Sequence, residues 1–257
     1  MESIRSTINL KYMKQLLLSL LLFPYSVFGI TIGSPSSSTS TTTNATTYSM
    51  SAFTSVANRL LVVMVYITDC TLTTPTMTGG GFSWVLKAYQ TVGPNTHYIF
   101  YAKVSGAVST TITVDVTGDA GSSCFMDVFH FTGYDAVTPD PFRQVFFSTS
   151  STTSADPSVT FALPLATGNG YGLKWSGLGA TAGISTPPTG WTERGDLTVA
   201  SPTGNASSAY RAGGETTAGP FTFVSASTTW VALGFEIYDF GTGPVGGTTE
   251  KGGFFNM

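Results

Sequence analysis

Apolar and polar positions follow one another in short runs along this chain, and past residue 29 none of them repeats with the period of a helix. Strand-like runs occupy residues 48–53, 60–69, 82–89, 98–104, 110–116, 124–132, 145–150, 158–163, 171–175, 191–199, 206–211, 221–225 and 229–240. Turn-forming residues separate them, as in Thr78-Gly79-Gly80-Gly81, Gly93-Pro94-Asn95, Thr186-Pro187-Pro188 and Gly213-Gly214. About a dozen short strands with no helix between them predict an all-β, antiparallel sandwich or barrel.

The pattern also repeats. Thr74-Pro75-Thr76 leading to Trp84 matches Thr186-Pro187-Pro188 leading to Trp191, and Tyr101-Ala102-Lys103 matches Tyr210-Arg211-Ala212. The run from Phe125 to Phe131 matches that from Val231 to Ile237. These offsets are nearly constant and predict an internal pseudo-repeat with halves at 48–134 and 158–240 of one domain, 48–240. The connector 135–157 holds a strand-like run of its own and makes a poor linker, so the two halves are expected to interleave in one body.

In a sandwich with one wet face, strands alternate apolar and polar residues. Here 60–67, LLVVMVYI, and the aromatic run 125–131 are apolar on both faces, with more of the same at 145–147 and 230–240. Their outer faces need a cover, supplied either within the chain by loops and the opposite half or by another copy.

Composition agrees with an all-β chain. Charged residues make up only 10% of the 257 positions, Ser and Thr far outnumber them, and 29 residues are Gly. The net charge is -3, and loss of Glu2, Arg5, Lys11 and Lys14 with a leader makes it more negative still. Nothing in that balance offers the basic stripe that nucleic acid or anionic lipid requires. The leader itself is read over 1–29: Lys14 precedes an apolar run from Leu16 to Phe23, Pro24 breaks it, and Val27 and Gly29 frame a cut before Ile30. That run is about half of the roughly 20 residues a membrane span needs, so a secretory signal is favoured over a retained anchor. Translation starts at Met1 or Met13. Residues 30–47 are Ser/Thr-rich, a stalk, linker or edge strand, and 241–257 form a Gly-rich tail. Asn44 and Asn205 open glycosylation-type triplets, which carry little weight by themselves.

The segments RLLVVMVYITD, YIFYAKVSG, TTITVDVTG, FHFTGYD and TTWVALGFEIYDF, in that order, resemble a jelly-roll-like β-sandwich module of secreted bacterial surface proteins and phage virion structural proteins. The resemblance extends from Ile30 to Phe240. It implies architecture and a structural or adhesive role, with no catalytic signature.

Candidate chemistry is sparse. In an exported chain Cys70, at the end of one strand-like run, and Cys124, at the start of another, are expected to form a disulfide worth about 4 kcal/mol; two buried free thiols are the alternative. His97, in a Gly-Pro-Asn-Thr turn, is expected in solvent. His130 and its repeat counterpart Glu236 are expected on an outward face. Asp135 and Asp140 flank a loop with the makings of a weak calcium site, and Glu193 and Glu215 are the acids nearest the Trp-bearing and Gly-rich loops. Gly79-Gly80-Gly81 lacks the Lys of a phosphate loop. Trp84 and Trp191 are candidates for stacking on a glycan, against a core role in each half. No catalytic residue, cofactor or metal is expected. The sequence therefore predicts a secreted, non-enzymatic structural subunit that assembles with copies of itself, with 30–47 as the exchanged element. A carbohydrate-binding or adhesive module is the alternative.

Overall fold

The computed structural model describes residues 30–40, 45–150, 156–178, 185–200, 203–225 and 229–240. The leader, the C-terminal tail and Asn44 lie outside the described residues. Among those described, the β-branched and aromatic runs fold as strands and no helix occurs. In chain order they are β1 (Thr31–Ser40), β2 (Thr47–Ser49), β3 (Phe53–Ser55), β4 (Arg59–Thr68), β5 (Thr76–Thr78), β6 (Val85–Val92), β7 (Asn95–Val104), β8 (Val108–Thr110), β9 (Thr113–Asp115) and β10 (Ser123–Thr132). There follow β11 (Phe142–Ser150), β12 (Ser158–Val159), β13 (Gly170–Leu178), β14 (Thr192–Ala200), β15 (Thr203–Ala212), β16 (Phe221–Thr222) and β17 (Thr229–Ile237).

Two five-stranded antiparallel sheets dominate. The first has the order β1-β10-β4-β7-β6 and the second β11-β17-β13-β15-β14. Replacing β1, β10, β4, β7 and β6 by β11, β17, β13, β15 and β14 converts one order into the other. The registers correspond as well: Met64 stands opposite Asp127 in the first sheet, as Lys174 stands opposite Leu233 in the second. Smaller sheets accompany each half, β2-β9-β5 and β3-β8 in the first and β12-β16 in the second. Each half keeps its strands in its own sheets, so the interleaving expected from the sequence does not occur.

Instead the halves stack. One core lies between the small sheets and the outer face of the first large sheet, where Leu61, Val63, Val65 and Ile67 of β4 meet Tyr48, Ile112 and Val114. A central core lies between the two large sheets, joining Leu60, Val62 and Met64 to Leu233, Phe235 and Ile237. A third, built on Leu173, Trp175, Trp191 and Phe221, lies outside the second large sheet. The doubly apolar character of β4 and β10 follows from this arrangement: each strand has a core on both faces, one from its own half and one from the opposite half. Full burial of such a Val, Leu or Ile contributes about 1.5–3 kcal/mol.

Strand β1 comes from the Ser/Thr-rich segment. It pairs with β10 of its own chain, Thr31 opposite Thr132 through Ser40 opposite Cys124, and Ile30 is buried beneath it. It is therefore an edge strand of the first sheet, and β11 takes the corresponding edge of the second. The sheets face each other with β1 against β14 and β6 against β11, an approximate twofold relation between the halves.

Candidate functional site

The central layer carries the least expected chemistry. Pleating sends Phe125, Asp127, Phe129 and Phe131 of β10 toward the second sheet, and Gly172, Lys174 and Ser176 of β13 toward the first. Lys174 Nζ donates to Asp127 Oδ2 at 2.5 Å, with side chains 0% and 1% exposed. Removing both charges from water costs several kcal/mol per ion, which close pairing offsets. Beside the pair, Ser176 Oγ and His97 Nε2 share a hydrogen bond of 2.6 Å, and the Tyr66 ring lies 4.6 Å from the imidazole. Burial, and then the Lys174 charge, hold His97 well below its usual pKa, so the ring is neutral.

A serine hydroxyl bonded to a neutral imidazole has the spacing of a nucleophile and its base. The surroundings decide otherwise. His97 Nδ1 has no hydrogen-bond partner to orient the ring. The adjoining cavity, lined by Tyr66, Asn95, Ser176 and Trp230 among others, measures about 30 Å³ and accommodates water, not a substrate.

A second buried polar cluster surrounds Glu236. Its carboxylate accepts hydrogen bonds from Arg143 Nη1 at 2.7 Å, Gln144 Nε2 at 2.6 Å, the Ala166 amide at 2.8 Å and Asn169 Nδ2 at 2.7 Å. These donors anchor the loop before β13 to β11 and β17. His130, at the corresponding position of β10, is 4% exposed, stands edge-on to Phe53 and leaves Nε2 without a partner. Burial and the neighbouring Arg59 lower its pKa to about 4. Both positions are on the outer faces of the large sheets yet buried, His130 beneath Phe53 of β3 and Glu236 beneath β11 and the loop before β13, which corrects the solvent-facing place expected for them.

The remaining candidates resolve individually. Cys70 and Cys124 are buried free thiols, so the expected disulfide is absent. Asp69, in the left-handed region at φ 52°, turns the chain after β4 so that the Cys70 amide bonds to Pro94 O, on the side away from β10. Cys70 Sγ then lies 3.5 Å from the Tyr98 hydroxyl, and Cys124 pairs by register with Ile67. His97 is fully buried within β7, which corrects its expected place in solvent.

Trp191 is 7% exposed and packs on Phe221 and Tyr171, so it is a core residue rather than a glycan platform. Trp84 is half-buried against Phe82, with Nε1 donating to Gly79 O at 3.1 Å. Asp135 caps its own loop through the Val137 and Thr138 amides, and Asp140 pairs with Lys87. Glu215 binds Arg211 at 2.9 Å, whereas Glu193 is exposed on β14. Gly79 takes φ 120° in a turn where a Cβ would approach Thr111 O to 2.3 Å. Among the described residues no three or more His, Cys, Asp or Glu cluster as for a metal ion.

An open cleft of about 420 Å³ is lined by Asn58, Lys103, Val104, Ser105, Tyr134 and neighbouring residues. Lys103 Nζ donates there to Ala136 O and Thr138 O. Comparison of the chain with protein-family models, with curated proteins and with solved structures finds no match.

Sequence reasoning missed the Asp127–Lys174 pair and the Glu236 cluster. A signal existed for both: each is a charged residue set within a strand that is otherwise apolar, MDVF, LKW and GFEI. A lone charge there needs a partner on the facing layer.

Proposed function

We propose that the protein is a secreted, non-enzymatic structural subunit of an extracellular or surface assembly, built from two stacked jelly rolls. The observation that carries this reading is the shared central core, which fuses two small sandwiches into one block with buried polar groups locked across the seam. Strand order supports the jelly-roll assignment. With β2 and β3 taken as one bent strand, and β8 and β9 as another, the large sheet of the first half joins its first, eighth, third and sixth strands, and the small sheets join the second, seventh and fourth. The fifth, β6, sits beside the sixth instead of closing the small sheet.

The faces once expected to bind another copy are covered within the chain, and the sheet edges are irregular. Contact between subunits is therefore assigned to the loop-bearing ends of the block. Light scattering and negative-stain microscopy of the exported protein test this: discrete oligomers or fibres are expected, and a monomer persisting at high concentration overturns it. The cleft beside Tyr134 and Asn58 favours a second reading, a carbohydrate-binding or adhesive module. Glycan-array binding by a monomer, lost on Asn58→Ala, would support that reading instead.

A further inference from the structure

We propose that Lys174 and Asp127 form a covalent cross-link, the lysine amine condensing with the aspartate carboxyl to an amide that ties β13 of one half to β10 of the other. This inference goes beyond the structural role above and does not depend on it. A 2.5 Å contact from Nζ to Oδ2 puts the nitrogen close to the carboxyl carbon, in the range of a near-attack arrangement of roughly 3–3.5 Å. Both side chains are sealed from solvent, so bulk water does not compete with the amine for the carboxyl carbon.

The step balances without a co-reactant. A proton passes from the ammonium to the carboxylate, the amine lone pair attacks Asp127 Cγ, and the C–N bond forms as one C–O bond breaks. The leaving hydroxyl takes a second proton from nitrogen, so one water departs and no electrons are exchanged. Ser208 stands directly opposite Lys174 on β15, and its buried Oγ has no hydrogen-bond partner. Phe125 and Phe129 flank Asp127 on the same face and exclude the water that would reverse the reaction. The fold does not require charge here. At the twofold-related place Met64 and Leu233 fill the same central core with apolar side chains.

Intact mass and peptide mapping of the purified full chain, reduced so that both cysteines remain thiols and then denatured, provide the test. A linked peptide pair containing Asp127 and Lys174, one water lighter than its two parts, is expected to survive denaturant and reductant. Lys174→Arg retains the cation but is expected to give two unlinked peptides. The wild-type measurement needs no variant to fold: if folded wild-type chain yields both peptides at their unmodified masses, or a link between other residues, the proposal is overturned.

Discussion

The two large sheets share strand order and register, yet their central faces differ at nearly every matched position. Met64, Tyr66, His97, Ile99 and Asp127 of the first correspond to Lys174, Ser176, Ala206, Ser208 and Leu233 of the second. Contacts across the seam consequently come in related pairs of opposite character. Asp127 with Lys174 on one side becomes Leu233 with Met64 on the other, both in the central layer. His97 with Ser176 becomes Ala206 near Tyr66. The difference shows how a duplicated unit specifies its partner. A first half packed on another first half would set Asp127 against Met64 and leave a buried carboxylate without a cation. Two second halves would strand Lys174 against Leu233. Only the unlike pair satisfies every charge, which selects a first half against a second half over two like halves packed together.

Making the seam symmetric breaks this comparison most severely. Lys174→Met leaves Asp127 buried and uncompensated, a loss of about 3–5 kcal/mol. Adding Asp127→Leu copies the twofold-related pair and should recover most of it. Neither variant can carry an Asp127–Lys174 bond, so the difference between their urea midpoints reports the stranded carboxylate alone. Equal midpoints would show that the pair does not specify the seam.

The matched tryptophans sharpen the contrast between the outer cores. Trp191 is enclosed by Tyr171 and Phe221, whereas Trp84 keeps one face toward solvent. Trp191→Ala is expected to cost about 3–5 kcal/mol and Trp84→Ala no more than about 2 kcal/mol. Chemical denaturation of both variants measures the difference, and comparable losses would place Trp84 in the core as firmly as its counterpart.

Acid acts on the halves unequally because both histidines of the chain belong to the first. Burial lowers the folded pKa of His97 well below its usual value and, together with Arg59, that of His130 to about 4. As pH falls below about 6.5 the unfolded chain takes up protons that the folded chain refuses, so the stability present at neutral pH declines toward pH 4. Each histidine contributes up to about 1.4 kcal/mol per pH unit in that window. Stability measured at pH 7.5 and pH 5 should differ less in His130→Gln than in the wild type; an unchanged difference would remove His130 from this role.

Periodicity in the sequence reveals the strands well, because turn glycines and prolines bracket them and β-branched runs fill them. The relation between the halves was legible only as a repeat. Whether LLVVMVYI is covered by loops, by a second copy or by the opposite half is a question of layer order, and alternation along one strand carries no information about which layer lies above it. The buried histidines were hidden for the same reason. His97 follows a Gly-Pro-Asn turn, which suggests exposure, but its side chain enters the seam because β7 already begins at Asn95. Cys70 and Cys124 sit at adjacent strand ends as expected, and a single left-handed residue, Asp69, sends the chain away from the partner thiol. No composition rule anticipates that turn.

The edges of the two sheets provide the finest comparison and the smallest effect on stability. All four edge strands carry a register shift: between Gly33 and Ser36 in β1, Leu86 and Ala88 in β6, Phe142 and Gln144 in β11, and Glu193 and Gly195 in β14. The four pairings inside the sheets, β10 with β4, β4 with β7, β13 with β15 and β13 with β17, run without one. The extra residue is Lys87, Arg143 or Arg194 in three cases, and the shift in β1 spans Pro35. Bulges, cations and proline are the devices that keep an open edge from pairing with another chain. Deleting Arg194 would bring Glu193 and Gly195 into consecutive register with Ala209 and Ser208 and flatten β14 without flipping the residues beyond it. The folded chain should lose less than about 1 kcal/mol, but light scattering should rise with concentration as flat edges meet. Deleting Lys87 should do the same at β6 and, in addition, remove its pairing with Asp140. Scattering indistinguishable from wild type in both deletions would mean that the bulges shape the sheets without guarding their edges.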